Sequence, residues 1–342
     1  MKRAGRRIVP ALRQSAKELA AALYSASGAV SRCRNQDGLV ILMLHKVCEE
    51  YDPLGITLSP NLFSDILKEI SSQHNFVRLD RVVADPVSWR GEGLRFSVTF
   101  DDGYRDNYEN AFPLLRQYAV PASVYVSPDH IDGKCEFWFE RLIWMLYATA
   151  EERIDLGEIG LGVLALHDEP ERRSVLALMN NKLKLLDSLS RTRILDHCID
   201  MLNLEEKSDY SPMMTWAMLK EMSAAGMEIG SHTMTHPILS RESDETVRYE
   251  LRESRRRIEQ ELGQSVAGFA YPNGREEDLN QYIIEEVERA GYQYAVTTVP
   301  GINVLPMDSY RLMRVNLHNN MCSGRNGKFS PKLFWAKVLD ML

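Results

Sequence analysis

The sequence predicts an α/β protein built on a parallel sheet, and three observations lead there. Short apolar runs that end in polar or turn residues alternate with amphipathic helical stretches through most of the chain. The run Leu39-Val40-Ile41-Leu42-Met43-Leu44 is apolar without a break until His45, the pattern of a strand buried on both faces. Seven or so strand–helix units can be counted, enough to close a barrel, and one stretch interrupts them.

Taken in order, Ser59-Pro60 offers an N-cap and first-turn proline for a helix to about Gln73. Phe76 to Leu79 reads as a short strand, with Arg81 to Val83 starting a connection. Leu94 to Phe100 is the next strand, followed by a helix over about Asp106 to Tyr118 and a strand from Ala122 to Val126. From Phe137 to about Leu204, apolar residues recur only at helical spacing (Trp138, Leu142, Met145, Leu146; Leu176, Met179, Leu183), so a purely α-helical insertion is expected there. Alternation resumes with a helix capped by Thr215 and stopped by Gly226, then the extended stretch Met227 to Gly230. A charged helix over about Asp244 to Leu262, the strand Val266 to Tyr271, a helix over about Leu279 to Ala290 and the strand Tyr294 to Thr298 follow. Tyr310 to His318 reads as extended. The resulting division is a basic amphipathic N-terminal helix (1–36), a first barrel part (37–136), a helical insertion (137–210), a second barrel part (211–320) and a C-terminal tail or helix (321–342).

Composition narrows the function classes. In 342 residues, 44% hydrophobic and 26% charged is the make-up of a soluble globular protein. A net charge of −7 with no basic-aromatic stripe argues against nucleic acid as a partner. Cys33, Cys48, Cys135, Cys198 and Cys322 are scattered with no CxxC pair, which excludes a thiolate zinc site and favours a reducing compartment. Lys2, Arg3, Arg6, Arg7, Arg13 and Lys17 precede the first acid, Glu18, yet the longest apolar run that follows is only Leu19 to Tyr24. That is too short for a secretory leader, whose apolar core runs roughly 7–15 residues, or for a membrane span. An amphipathic helix from Val9 to about Ala29 remains, packed on the body or lying on an anionic membrane surface. A cytoplasmic protein, peripheral at the inner membrane face, is the expected location.

Chemistry concentrates in two places. Asp101-Asp102-Gly103 ends the apolar strand Leu94–Phe100. Adjacent carboxylates raise each other's pKa, so a compensating cation is expected beside them. Side chains alternate along a strand, and both acids can share a site only if the chain bends, which Gly103 permits. His232-Thr233-Met234-Thr235-His236 is the second place; Pro237 disfavours helical geometry at His236, so a tight loop after a strand is expected. Two imidazoles with Asp102 make a donor set suited to catalytic zinc, and equally to cobalt, nickel or iron. Asp101 is then the spare carboxylate, free to act as general base. His74, His130, His167 and His197 have no partners at useful spacing and read as solvated; Trp138 and Trp144 read as helix core rather than sugar platforms.

Together with Phe269-Ala270-Tyr271-Pro272-Asn273-Gly274, these motifs, in this order, resemble the polysaccharide deacetylases of carbohydrate esterase family four over about Leu39 to Leu317, the insertion excepted. The resemblance implies a distorted (β/α)7 barrel and metal-dependent hydrolysis of an N-acetyl group on an amino sugar, the substrate a glycan or lipid-linked sugar and exopolysaccharide synthesis a plausible setting. By matching positions it implies Asp101 as base, Asp102, His232 and His236 as ligands of a divalent metal, zinc first, and a backbone N–H near Pro272 and Asn273 as oxyanion donor. The acid that protonates the leaving amine is His45, on a Leu-His element like that of one branch of the family, or else His318, in a late Leu-x-His element. Two departures stand out. No arginine precedes the third motif to orient the base, and Arg314 is the candidate substitute; Asn273 replaces the usual tyrosine. Rival functions are hydrolysis of another C–N bond at the same metal and a non-catalytic carbohydrate-binding barrel.

Overall fold

The computed structural model describes residues 18, 20, 21 and 37–339, except 88, 89, 92, 206–209 and 325. The basic amphipathic helix expected over residues 1–36 lies, apart from those three positions, outside the described residues. Among these, no helix is long and apolar enough to cross a membrane.

Seven parallel strands form a curled sheet in the order β11-β10-β9-β6-β5-β1-β12. These are β1 (Gly38–Leu44), β5 (Leu94–Phe100), β6 (Ala122–Val126), β9 (Glu228–Ser231), β10 (Gly268–Ala270), β11 (Tyr294–Val296) and β12 (Val315–Asn316). A short β4 (Asn75–Phe76) pairs with the first half of β5, where β6 has not yet joined. β1 and β5, in register over their whole length from Gly38↔Leu94 to Leu44↔Phe100, form its longest pairing. Every β1 residue is buried, as an unbroken apolar run requires in a sheet covered on both faces. The segment 312–316 spans the two sheet ends: Leu312 pairs with Val296 of β11, and three residues later Val315 pairs with Leu42 of β1. The fold is thus the expected distorted (β/α)7 barrel.

Helices cover the outside, and local sequence explains them. α1 (Pro60–Ser71) takes its N-cap from the Ser59 hydroxyl and buries Leu62, Phe63, Ile66, Leu67 and Ile70 on one face. α2 (Leu79–Ala84) replaces the connection expected there and buries Leu79, Val82 and Val83, so Leu79 belongs to a helix and not to the preceding strand. The expected helix after β5 is split: a π-helical turn, Asn107–Ala111, leads into α3 (Phe112–Gln117), and Asn107 turns inward to donate to the His45 carbonyl. Strand packing also constrains composition. A Cβ on Gly230 of β9 would sit 2.4 Å from the Tyr125 ring and 2.9 Å from the Gly268 carbonyl, so only glycine allows β6, β9 and β10 to approach this closely.

Between β6 and β9 lie a one-turn α4 (Pro128–Ile131), then α5 (Trp138–Ala148), α6 (Glu169–Leu183), α7 (Ser188–Met201) and α8 (Trp216–Ala224). The expectation of helices alone fails here, because β7 (Arg153–Leu156) and β8 (Gly162–Ala165) form an antiparallel hairpin. Ile154 and Leu156 are buried while Arg153 and Asp155 are exposed, a period of two too short to stand out, and Gly160 and Gly162 supply the positive φ of its turn. Leu142, Met145, Ile154, Leu176, Met179, Leu183 and Leu195 make a hydrophobic cluster separate from that of the barrel. One ion pair ties α5 to the barrel: Lys46 Nζ donates to Glu140 Oε1 at 2.6 Å, and the Tyr104 hydroxyl donates to the same oxygen at 3.0 Å.

α9 (Asp244–Leu262), capped by Ser243 and ended by Gly263 in the left-handed region, and α10 (Gln281–Arg289) complete the outer layer. Only Val315–Asn316 of the stretch expected to be extended is strand; α11 (Asn319–Cys322) follows at once, and α12 (Pro331–Val338) packs Phe334 and Trp335 on the core. Cys48, Cys135, Cys198 and Cys322 are free thiols.

Candidate metal centre and active site

The carboxyl ends of β1, β5, β9 and β10 open into one cleft of about 670 Å³, lined among others by His45, Asp101, Asp102, His232, His236 and Asn273. Each strand delivers its residue by overrunning its own end. Asp101 N–H donates to the Leu44 carbonyl and His232 N–H to the Val126 carbonyl, both at 2.9 Å, so the ladder continues one residue past β5 and β9. The bend that brings both acids into one site lies at Asp102 itself, with φ of +73°, as well as at Gly103, φ +89°. Gly103 N–H closes this turn on the Asp101 carbonyl at 2.9 Å. A non-glycine residue here is costly unless held by its surroundings, and Asp is among the residues that tolerate it best.

The second motif is a loop of the expected kind. Thr233 and His236 have φ of +66° and +59°, which no helix contains. Glu250 of α9 holds it, accepting from Met234 N–H at 2.7 Å, Thr235 N–H at 2.9 Å and the Thr235 hydroxyl at 2.7 Å. His236 N–H donates to the Thr233 hydroxyl at 3.0 Å. The His232 Nδ1–H donates to the Ala270 carbonyl at 2.7 Å, which fixes the tautomer and leaves Nε2 with a lone pair for the cleft. Nε2 of His232 and of His236 lie 3.5 and 3.4 Å from Asp102 Oδ1, and one ligand atom from each of the three residues falls within 4.8 Å of the others. All three are buried. Burial pushes both imidazoles down and therefore neutral, the state in which they ligate metals, while burial and the neighbouring Asp101 charge push Asp102 up. A buried carboxylate whose close partners are neutral imidazole nitrogens lacks a cation, and a divalent metal among these three donors would supply it. The donor set fits.

Asp101 contrasts with its neighbour. Arg314 NH1 and NH2 donate to its two oxygens at 2.7 Å each, and the guanidinium is itself anchored on the Thr297 carbonyl at 2.7 Å and the Thr99 hydroxyl at 3.2 Å. Arg314 is 0% and Asp101 1% exposed. Burial alone would raise the Asp101 pKa; the arginine reverses this and holds it at about 2. Arg314, on the segment that spans the sheet ends, thus occupies the place that the sequence left without an arginine.

The remaining expectations divide. His45 lines the cleft, and burial pushes its pKa down to about 4 against the opposing Asp101 charge. His318 does not line the cleft; it caps α11. Pro272 is buried and also stays outside the lining, whereas Asn273 lies in it with φ of +62°, its side-chain amide held by Asp278 and its carbonyl accepting from Thr298 Oγ1 at 2.6 Å. Among the described residues the Asn273 N–H meets no acceptor. His130 is not solvated: it stacks on Phe137 at 3.7 Å, and Phe137 meets His236 edge-on. His74 packs against Phe96 and Trp335, while His167 and His197 are exposed. Trp138 and Trp144 pack against the hydrophobic cluster of the insertion as expected, and Trp138 also lines the cleft. Sequence reasoning missed Glu250 and the Lys46–Glu140 pair, for which no local pattern exists.

Comparison with known proteins places this geometry. A model described as polysaccharide deacetylase matches residues 92–295, which include Asp101, Asp102, His232 and His236. YxkH of Bacillus subtilis (strain 168), which carries a polysaccharide deacetylase designation, is 22% identical over 232 residues, 68% of this chain and 54% of its own length. The chain thus spans about half of that relative. Among solved structures, Streptococcus pyogenes deacetylase PplD in complex with acetate superposes with a TM-score of 0.56 and 19% identity, over 88% of this chain and 98% of that one. IcaB from Ammonifex degensii gives 0.52 and 18%, over 89% and 96%. These two likenesses are likenesses of fold. With a family match over more than half its length, the chain belongs to the polysaccharide deacetylases.

Proposed function

We propose that the chain is a metal-dependent hydrolase that removes the N-acetyl group from an N-acetylated amino sugar in a polysaccharide or glycan precursor. The observation that carries this reading is the bidentate grip of Arg314 on Asp101 directly beside Asp102, His232 and His236, which gives two neighbouring acids separate tasks. A divalent cation, when bound by Asp102, His232 and His236, supplies Lewis acidity toward the acetyl carbonyl and makes water a better nucleophile. Asp101, ionised throughout the neutral range, accepts the proton of the attacking water. The Asn273 N–H, on a cleft-lining residue and without an acceptor among the described residues, takes the oxyanion role expected of that loop. His45 then protonates the nitrogen as the C–N bond breaks, since an amide anion is too poor a leaving group. With its pKa down to about 4 the imidazole is neutral at rest, so it first takes up the proton that Asp101 removed from water and then passes it to the departing amine. Acetate and a free amino sugar result. His45 is preferred to His318 because only His45 lines the cleft.

Metal content and acetate release, measured side by side, test this. The wild type is expected to carry one metal and to release acetate from N-acetylglucosamine oligomers. Asp101→Asn keeps the metal and loses activity by about 10³-fold, whereas His232→Ala loses both. Acetate from small amides alone, or no metal uptake when zinc, cobalt or iron is supplied, would overturn it.

A further inference from the structure

The insertion contributes a wall to the cleft, and one residue on that wall lacks a counterpart. Lys184, at the C-cap of α6, lines the cleft and is half-buried. A lysine at a helix C-terminus complements the helix dipole, which accounts for a basic residue there but not for placing it in a partly desolvated cleft. Acids lie across from it, yet each is engaged. Glu276 pairs with Arg311 at 3.3 Å, Glu277 with Arg275 at 3.6 Å, and Asp278 accepts from the Asn273 amide and from Arg275 N–H. Among the described residues no carboxylate lies within 4.0 Å of Lys184. Behind it stands a second cation, Arg191, 2% exposed, bonded to the Leu183 and Leu186 carbonyls and seated 4.8 Å from the ring centre of Trp138, which itself lines the cleft. Burial, with repulsion from Arg275 and Arg191 outweighing the attraction of Asp278 and Glu277, lowers the Lys184 pKa to about 8, so the amine is charged at neutral pH without an acid in contact with it.

We propose that Lys184 recognises an anionic substituent, a phosphate or a carboxylate, carried by the amino sugar whose N-acetyl group enters the cleft. This rests on the sugar-deacetylase reading and narrows its substrate class from neutral glycans to sugars bearing a negative group near the scissile amide. A partly desolvated ammonium gains most from a full charge, and a neutral hydroxyl would leave the burial cost largely unmatched. Arg191 strengthens the field but cannot replace the contact, because it is buried, with Nε and one terminal nitrogen held by backbone carbonyls.

Calorimetric binding of three sugars to the full chain tests the inference without requiring turnover: N-acetylglucosamine, N-acetylglucosamine 1-phosphate and N-acetylmuramic acid. The wild type is expected to bind at least one of the two anionic sugars tenfold or more tightly than the neutral one, and which one identifies phosphate or carboxylate. Lys184→Met brings that ratio close to one, and Lys184→Arg restores most of it. Equal affinities in the wild type, or a ratio that survives Lys184→Met, overturn the inference. Should N-acetylglucosamine oligomers be deacetylated while the anionic groups bring no gain, only this inference falls. Should no sugar bind or lose acetate, the functional reading itself falls.

Discussion

Two buried carboxylates at opposite ends of the same sheet are driven in opposite directions. Asp101, just past the end of β5, faces the Arg314 guanidinium and is held at about 2. Glu228, at the start of β9, is buried too, though 9% exposed against 1%; its hydrogen bonds come from hydroxyls, Ser123 at 2.6 Å and Tyr294 at 2.7 Å, and burial pushes it up to about 7. Burial is common to both, so burial does not decide which acid is ionised. The formal charge of the partner does. Glu250 is a third case: two backbone N–H groups and a hydroxyl favour its charged form, yet burial still raises it. Such a series separates an acid kept ready for chemistry from acids that hold structure.

Arg314→Met should break the contrast most sharply. It leaves Asp101 buried without its cation, at a cost of about 3–5 kcal/mol in urea unfolding, and acetate release should fall by about 10³-fold. Adding Asp101→Asn to Arg314→Met should recover much of the stability and none of the activity; equal losses in both properties would mean that the arginine serves only the fold. Glu250→Ala comes next. With its three donors released, the loop from His232 to His236 should loosen and metal affinity drop about 10–100-fold by competition with a chelator, while Asp101 and Arg314 keep their pairing. The smallest effect is expected from Glu228→Gln, and it should have the opposite sign. Because the folded pKa of Glu228 lies above its ordinary value of 4.5, its contribution to stability is complete below that value and is lost as pH rises through about 7. The amide should therefore raise the melting temperature at pH 8 by a few degrees, on the order of 1–2 kcal/mol, with little change at pH 5. A fall at pH 8 would show that Glu228 has a charge partner after all.

The site was legible where a strand announces its own end. Asp101, His232 and His45 each follow an apolar run, and in a parallel barrel such positions converge on one face. Arg314 was legible only as a vacancy in the third motif to be filled from elsewhere. Glu250 and Glu140 sit within helices whose charged residues all look alike in sequence, and only the packing of α9 and α5 turns these two inward. The hairpin β7–β8 escaped for a similar reason, since four residues of alternation carry little signal beside long helical repeats. His130 read as solvated because its shield, Phe137, comes from the start of the insertion and stacks on it only in the folded chain.

Arg314 reaches Asp101 across 213 positions of chain, and it does so on the segment that joins β11 to β1. Asp102, His232 and His236 need no such journey beyond β9, so a chain cut before Leu312 would retain all three candidate donors and still lack the group that keeps Asp101 charged and aimed. Bringing so distant a residue home carries an entropic cost, and that cost is met only as the last strand docks. On the function proposed above, hydrolytic competence would then depend on the last strand being in place: a chain without it would keep the three candidate donors but have no poised base to turn against bystander amides.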